Sequence, residues 1–258
     1  MDRFRTYEDK IRLELKQWEN KLLQPPGFVE RTSRLVQGKI NQVIPEKVHE
    51  AITAAVKGIV KTALFSLDYI PKGEPLEGIS LAERDRRASE LLSVYKKLAA
   101  AEGAGTGAGG ILLGLADFPL LIGIKMKFLF ELAHVYGFRT KDYRERLFLL
   151  YVFQLAFSGQ TKKPALLQTI LRWPETAASL PPLQSNVEHI DWQQLQQEYR
   201  DTIDFRKMLQ LVPGIGAVVG AWANYGLLEE LGETGINCFR LRLLNGPQPE
   251  PLEGPEAE

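Results

Sequence analysis

Cysteine is almost missing from this chain: Cys238 stands alone among 258 residues. One thiol excludes an internal disulfide and removes any pointer to an oxidising compartment. Net charge is absent as well, since 32 basic side chains face 32 acidic ones, and a chain that wraps nucleic acid needs a concentrated basic excess. Histidine is scarce, with three, which leaves little for a metal centre. Strand-like alternation is rare throughout, so the expected fold is all-α, a multi-helix bundle. Met1-Asp2-Arg3-Phe4-Arg5 carries charge where a secretory peptide would hold its apolar segment, and the expectation is a cytosolic protein. What remains is 45% hydrophobic and 25% charged, the composition of an ordinary globular chain.

Residues Tyr7 to Leu22 place Ile11, Leu13, Leu15, Trp18 and Leu22 among charges near a 3.6-residue period, which predicts an amphipathic helix. Gln24-Pro25-Pro26-Gly27 stops it. Further helices are expected over 29–43 and 45–70, ended by Pro71-Lys72-Gly73-Glu74-Pro75. Ser80, with Glu83 three residues on, has the spacing of a capping box before a long helix through Tyr95 and Leu98. Asp117 reads as the cap of a new apolar helix with Pro119 in its first turn, closed by Gly137 as a left-handed C-cap residue. Thr140 opens the next helix, 191–208 is helical again, and a last helical region ends near Leu244. The tail, 245–258, holds four prolines and four glutamates and is expected to be disordered. This divides the chain into N-terminal amphipathic helices (1–79), a helical domain (80–244) and the tail.

Two tracts are unusually poor in side chains, at 103–114 and 213–226. On one helix, Gly103, Gly107, Gly110 and Gly114 form a single bare stripe; after Pro213, the residues Gly216, Gly220 and Asn224 repeat the four-residue step. Each interior glycine costs roughly 0.5–1 kcal/mol of backbone entropy relative to alanine, so such a tract needs a compensating contact. Close approach of helices is the simplest one. The tracts therefore read as two helical hairpins that either cross tightly in a soluble core or insert partly into a bilayer, the third reading being flexible loops, with Asp117 and Asn224 as polar residues that could pair between them. Neither tract predicts a spanning helix, because residues 103–116 are uncharged for too short a length and 211–228 is diluted by Pro213, four glycines and Asn224. Lys125 and Lys127 follow one apolar run, Arg144 and Arg146 precede another, and Lys57 and Lys61 lie among Ile52, Val56, Ile59 and Val60. These six cations are the expected membrane-surface residues, since such stems cover apolar surface while the charge reaches headgroups.

Enzyme signatures are weak. Gly105-Thr106-Gly107-Ala108-Gly109-Gly110 matches G-x-G-x-x-G but follows an alanine-rich helical pattern rather than a strand, so no nucleotide site is expected. Glu131 and His134 have the E-x-x-H spacing of carboxylate-bridged metal sites, but those need a second copy and further carboxylates. His49 and His189 each adjoin a glutamate, and neighbouring helical residues point to different faces. Arg240 and Arg242 could lower the thiol pKa of Cys238, although a structural cysteine is the simpler reading. No catalytic residue, cofactor or resident metal is therefore expected.

The motifs together resemble the EcsC family: Ala99-Ala100-Ala101-Glu102-Gly103, Leu115-Ala116-Asp117-Phe118-Pro119-Leu120, Glu131-Leu132-Ala133 with Tyr136-Gly137-Phe138, and Val212-Pro213-Gly214-Ile215-Gly216 through Asn224-Tyr225. The resemblance covers roughly residues 80–244. It implies a bacterial cytoplasmic protein working at or near the membrane, because the family takes its name from a protein encoded beside an ABC transporter. It carries no catalytic residue set. The expected function is a non-enzymatic accessory protein, peripherally attached to the inner face of the cell membrane, that engages the membrane surface or a membrane complex such as an ABC transporter. The alternatives are a soluble lipid- or hydrophobe-binding helical module, and a hydrolase or metalloenzyme built on Glu131, His134 and Asp117.

Overall fold

The structure, a computed structural model, describes residues 6–24, 58, 60, 63–64, 69–107, 110–180 and 216–246, leaving aside the side chains of 102–119, 121 and 216–223. Among them are seven helices and no strand: α1 (Tyr7–Leu23), α2 (Leu81–Gly107), α3 (Gly110–Val135), α4 (Tyr143–Phe157), α5 (Lys163–Leu171), α6 (Trp173–Ser179) and α7 (Gly216–Asn245). The all-α expectation holds. The helices read at 29–43 and 191–208, most of 45–70, and the acidic tail fall outside the described residues.

α1 begins at a capping box: Thr6 Oγ1 accepts the Asp9 amide at 3.2 Å and the Asp9 carboxylate accepts the Thr6 amide. Its Ile11, Leu15 and Trp18 are buried while Leu13 stands exposed, so the core-facing stripe is narrower than the sequence pattern. At α2, Ser80 Oγ accepts the Glu83 amide at 3.3 Å. The Glu83 carboxylate does not complete the box; it pairs with Arg86 and Arg87 instead.

α2 runs antiparallel to α3 and to α7. Arg84 meets the Val135 carbonyl and the Tyr95 ring meets Phe128 along one side, while Asp85 meets Arg240 and Lys96 meets Glu229 along the other. α3 and α7 run parallel, with Tyr136 stacked on Phe239 at one end and Lys125 against Asn224 toward the other. α4 closes the bundle through a run in which Phe148, Leu149, Leu150, Val152 and Phe153 are buried and Tyr151 is half-buried. Phe148 joins Phe239 to Trp173, at centroid separations of 5.5 and 5.2 Å.

Two readings of helix boundaries are corrected. Asp117 does not cap a helix, because α3 starts at Gly110 and carries both Asp117 and Pro119 in its interior; the uncharged residues before Asp117 continue the helix rather than break it. Thr140 does not open α4 either. That helix is capped by Asp142, whose carboxylate accepts the Arg144 amide, and Thr140 is buried against the His134 ring, 3.2 Å from Nε2.

Gly137 behaves as expected of a left-handed C-cap, with φ +92°. A Cβ there would lie 2.9 Å from an Arg84 guanidinium nitrogen and 3.0 Å from the Leu76 carbonyl oxygen. The same guanidinium nitrogen donates to the Leu76 and Val135 carbonyls at 2.8 and 2.9 Å, so the end of α3 is satisfied by an arginine from α2. Gly137→Ala is expected to cost about 2 kcal/mol, the sum of left-handed strain and displacement of Arg84. Urea unfolding checks it; a loss below about 0.5 kcal/mol would show that the turn relaxes freely.

Candidate functional site

The helix directions put the two glycine tracts at one end of the bundle. α2 finishes there at Gly107, α3 starts there at Gly110, and α7 starts there at Gly216. The expected single stripe is thereby divided: Gly103 and Gly107 belong to α2, and Gly110 and Gly114 to α3, because the chain reverses between them. Gly216, Gly220 and Asn224 share α7, whereas Pro213 lies outside the described residues, as do Lys57 and Lys61. Close approach is observed elsewhere on α7. A Cβ at Gly232 would come within 2.4 Å of Leu92 Cδ1, and one at Gly235 within 2.8 Å of Leu132 Cδ2, so these two glycines let α7 seat against α2 and α3. Their signal in the sequence is two glycines, three apart, inside Glu229–Asn237 with no proline near them.

Lys125 is not a membrane-surface cation. It is fully buried between α3 and α7, its Nζ lying 3.4 Å from Oδ1 of buried Asn224. Burial pulls its pKa down to about 7, because removal from water disfavours the charged ammonium. Arg146 is likewise buried, donating to the carbonyls of Leu64, Thr140 and Lys141 at 2.9–3.0 Å. Its five donors suit three converging carbonyls, which explains why an arginine preceding an apolar run turned inward. Arg144 is half-buried and binds the Leu180 carbonyl. Of the described members of that set, Lys127 alone stands exposed.

Glu131 and His134 do not converge. Glu131 accepts the Tyr95 hydroxyl, while the His134 ring turns to Thr140. No group of three or more His, Cys, Asp or Glu side chains able to hold a metal ion occurs among the described residues. Cys238 is fully buried, and burial pushes its thiol pKa up despite Arg242 nearby; a thiolate is disfavoured there.

The dominant polar cluster was not legible as such. Asp85, buried on α2, accepts the Tyr7 hydroxyl from α1 at 2.7 Å, the Tyr136 hydroxyl at the end of α3, and Arg240 Nε from α7 at 3.1 Å. Arg240 also reaches Asn237 and, at 3.5 Å, Glu14 of α1. Burial raises the Tyr7 hydroxyl to about 12 and pushes Tyr136 up further, with the Asp85 charge adding to both. Every partner is thus held in its bonded protonation state. Asp85 sits in Glu83-Arg84-Asp85-Arg86-Arg87, which reads as a solvated charged run; its spacing from Leu81 and Ala88 on the buried face is the signal that marks it. These groups tie four elements together at the end opposite the glycine tracts, so their role is structural.

Comparison with known proteins fixes the family. The profile described as "EcsC protein family" matches residues 9–244. The chain belongs to the EcsC family. It is 46% identical over 231 residues to Protein EcsC of Bacillus subtilis, covering 90% of this chain and 94% of that protein. It is also 27% identical over 248 residues to the uncharacterized protein YdbA of the same organism, covering 89% and 90%. No solved structure matches. The EcsC match reaches back through α1, beyond the 80–244 span that the motifs mark out, and α1 is bound into the bundle through Tyr7, Glu14 and the Arg12 bond to the Leu244 carbonyl. Among the described residues, no helix is long and apolar enough to cross a membrane.

Proposed function

We propose that this EcsC-family protein is a non-enzymatic accessory factor that works at the inner face of the cell membrane. Its partner is the membrane surface or a membrane protein complex such as an ABC transporter, engaged through the end of the bundle where the glycine tracts lie. The observation that supports this reading is the placement of exposed apolar side chains. Leu98 on α2, Leu120 on α3 and Tyr225 on α7 are exposed and lie in the halves of their helices nearer that end, while Val94 stands at the middle of α2 and Tyr7, Leu13 and Leu23 are exposed on α1. The opposite end is bound by polar groups satisfied among themselves, centred on Asp85. Exposed apolar side chains on three helices that meet at the glycine-rich end are what a protein presents to something other than water.

Fractionation of cells expressing the full chain tests the proposal. The protein is expected in the membrane fraction, and what releases it names the attachment: a salt wash releases a chain held by charge, while resistance to both salt and alkali marks insertion. Recovery wholly in the cytosol defeats the proposal.

A further inference from the structure

Residues 71–79, the irregular segment between Ile70 and the cap of α2, lie as a strap against the corner where α3 gives way to α4. Its ends are fixed. Tyr69 packs on Phe130 with ring centroids 5.9 Å apart, and Ser80 caps α2. The middle is held through Leu76, whose amide donates to the His134 carbonyl at 2.9 Å and whose carbonyl accepts Arg84. Pro75 is buried beside it. Two ion pairs, Glu74 with Lys141 and Glu77 with Arg139, also join the strap to the turn, but all four side chains are at least 64% exposed, and such pairs hold weakly.

The buried ring of His134 sits at the same corner, with Thr140 Oγ1 3.2 Å from Nε2. A hydroxyl serves a neutral or a charged ring but brings no counter-charge. Behind it, buried Arg146 occupies the Thr140 and Lys141 carbonyls, and Arg84 donates to the Val135 carbonyl. The carboxylates of neighbouring elements are engaged elsewhere: Glu131 of α3 with Tyr95, Asp142 with the start of α4, and Glu145 of α4 with Arg242 of α7. Burial lowers the ring's affinity for a proton; Glu74 favours the proton and Lys141 opposes it. An imidazolium here therefore gains by reaching water. We infer that residues 71–79 form a proton-released strap: protonation of His134 detaches Leu76 from the corner, while Tyr69 and Ser80 keep the segment tethered. Below pH 6.5, the ordinary value for histidine, the released ring takes up its proton and the docked ring resists it, so acid shifts the balance toward release.

Hydrogen exchange in the full chain tests this at the Leu76 amide, read as a protection factor so that the intrinsic effect of pH on exchange is removed. Protection there is expected to fall about fivefold between about pH 7.5 and about pH 5.5, while that of Leu150 in the middle of α4 stays constant. His134→Gln is expected to abolish the change. Should that substitution loosen the strap at every pH, two exposed positions decide: Glu74→Gln is expected to enlarge the acid effect about twofold and Lys141→Gln to diminish it about twofold. Constant Leu76 protection in the wild type, an equal fall in the His134→Gln protein, or no opposite shifts from the other two variants overturns the inference. A parallel loss at Leu150 also overturns it, because acid then unfolds the bundle instead of lifting the strap.

Discussion

Asp85→Ala is expected to lower unfolding free energy by about 4 kcal/mol, a loss typical of removing one member of a buried ion pair. The side chain of Asp85 is 6% exposed and that of Arg240 15%, and Tyr136 is buried, so neither the guanidinium nor the Tyr136 hydroxyl can recover full hydration once the carboxylate is gone. Arg240 keeps Asn237 and a longer contact to Glu14, which holds the loss near the middle of the range for broken buried pairs. Tyr136→Phe removes one donor and leaves Asp85 with Tyr7 and Arg240, so about 1 kcal/mol is expected. A cycle with Arg240→Met separates the pair from its surroundings: the double variant should be more stable than the sum of the two single losses predicts. Urea unfolding of the four proteins checks this, and a loss below about 1 kcal/mol for Asp85→Ala would mean that α1, α2, α3 and α7 are held without the knot.

Lys125→Met should act in the opposite direction and stabilise the protein at neutral pH by about 3 kcal/mol, methionine matching the buried stem without its charge. The sign follows from proton binding. With the folded pKa near 7 and the free side chain at 10.5, the unfolded chain binds more protons between those values, so stability rises with pH across that window. Below about 7 both states are protonated and the penalty is at its full value. Above about 10.5 both are neutral and it vanishes. The stability difference between variant and wild type should therefore be constant below pH 7 and shrink steadily toward pH 10.5. The difference is the quantity to measure, because the raised tyrosines titrate alike in both proteins and cancel. A difference that stays flat across the window, or a destabilised variant at pH 7, would show that Lys125 is held as a stable ammonium.

Much of the local structure was legible because it depends on neighbours in sequence. The α1 stripe, the Ser80 cap and the left-handed Gly137 follow from periodicity and backbone sterics over a few residues. The helix starts at Gly110 and Tyr143 differ from the sequence reading for a related reason: Asp117 and Thr140 are good cap residues by type, but a residue's ability to cap does not make the chain stop. The cations failed differently. Lys125 and Arg146 adjoin apolar runs just as Lys127 does, and a side chain beside such a run can cover it from outside or be enclosed by it. Which of these happens depends on the angle at which the next helix crosses.

The amino-acid sequence by itself determined the helical class, the family, the lack of cysteine pairing and the position of the glycine tracts, since each rests on composition, period or motif. Only the tertiary structure brought the ends of α2, α3 and α7 to one side, divided the first glycine stripe between two helices, enclosed Lys125, and gathered Tyr7, Asp85, Tyr136 and Arg240 from four elements. The physical reason is that burial and pairing are properties of contacts between residues far apart in the chain. A single helix period restricts which side of a helix can be covered but does not specify what covers it.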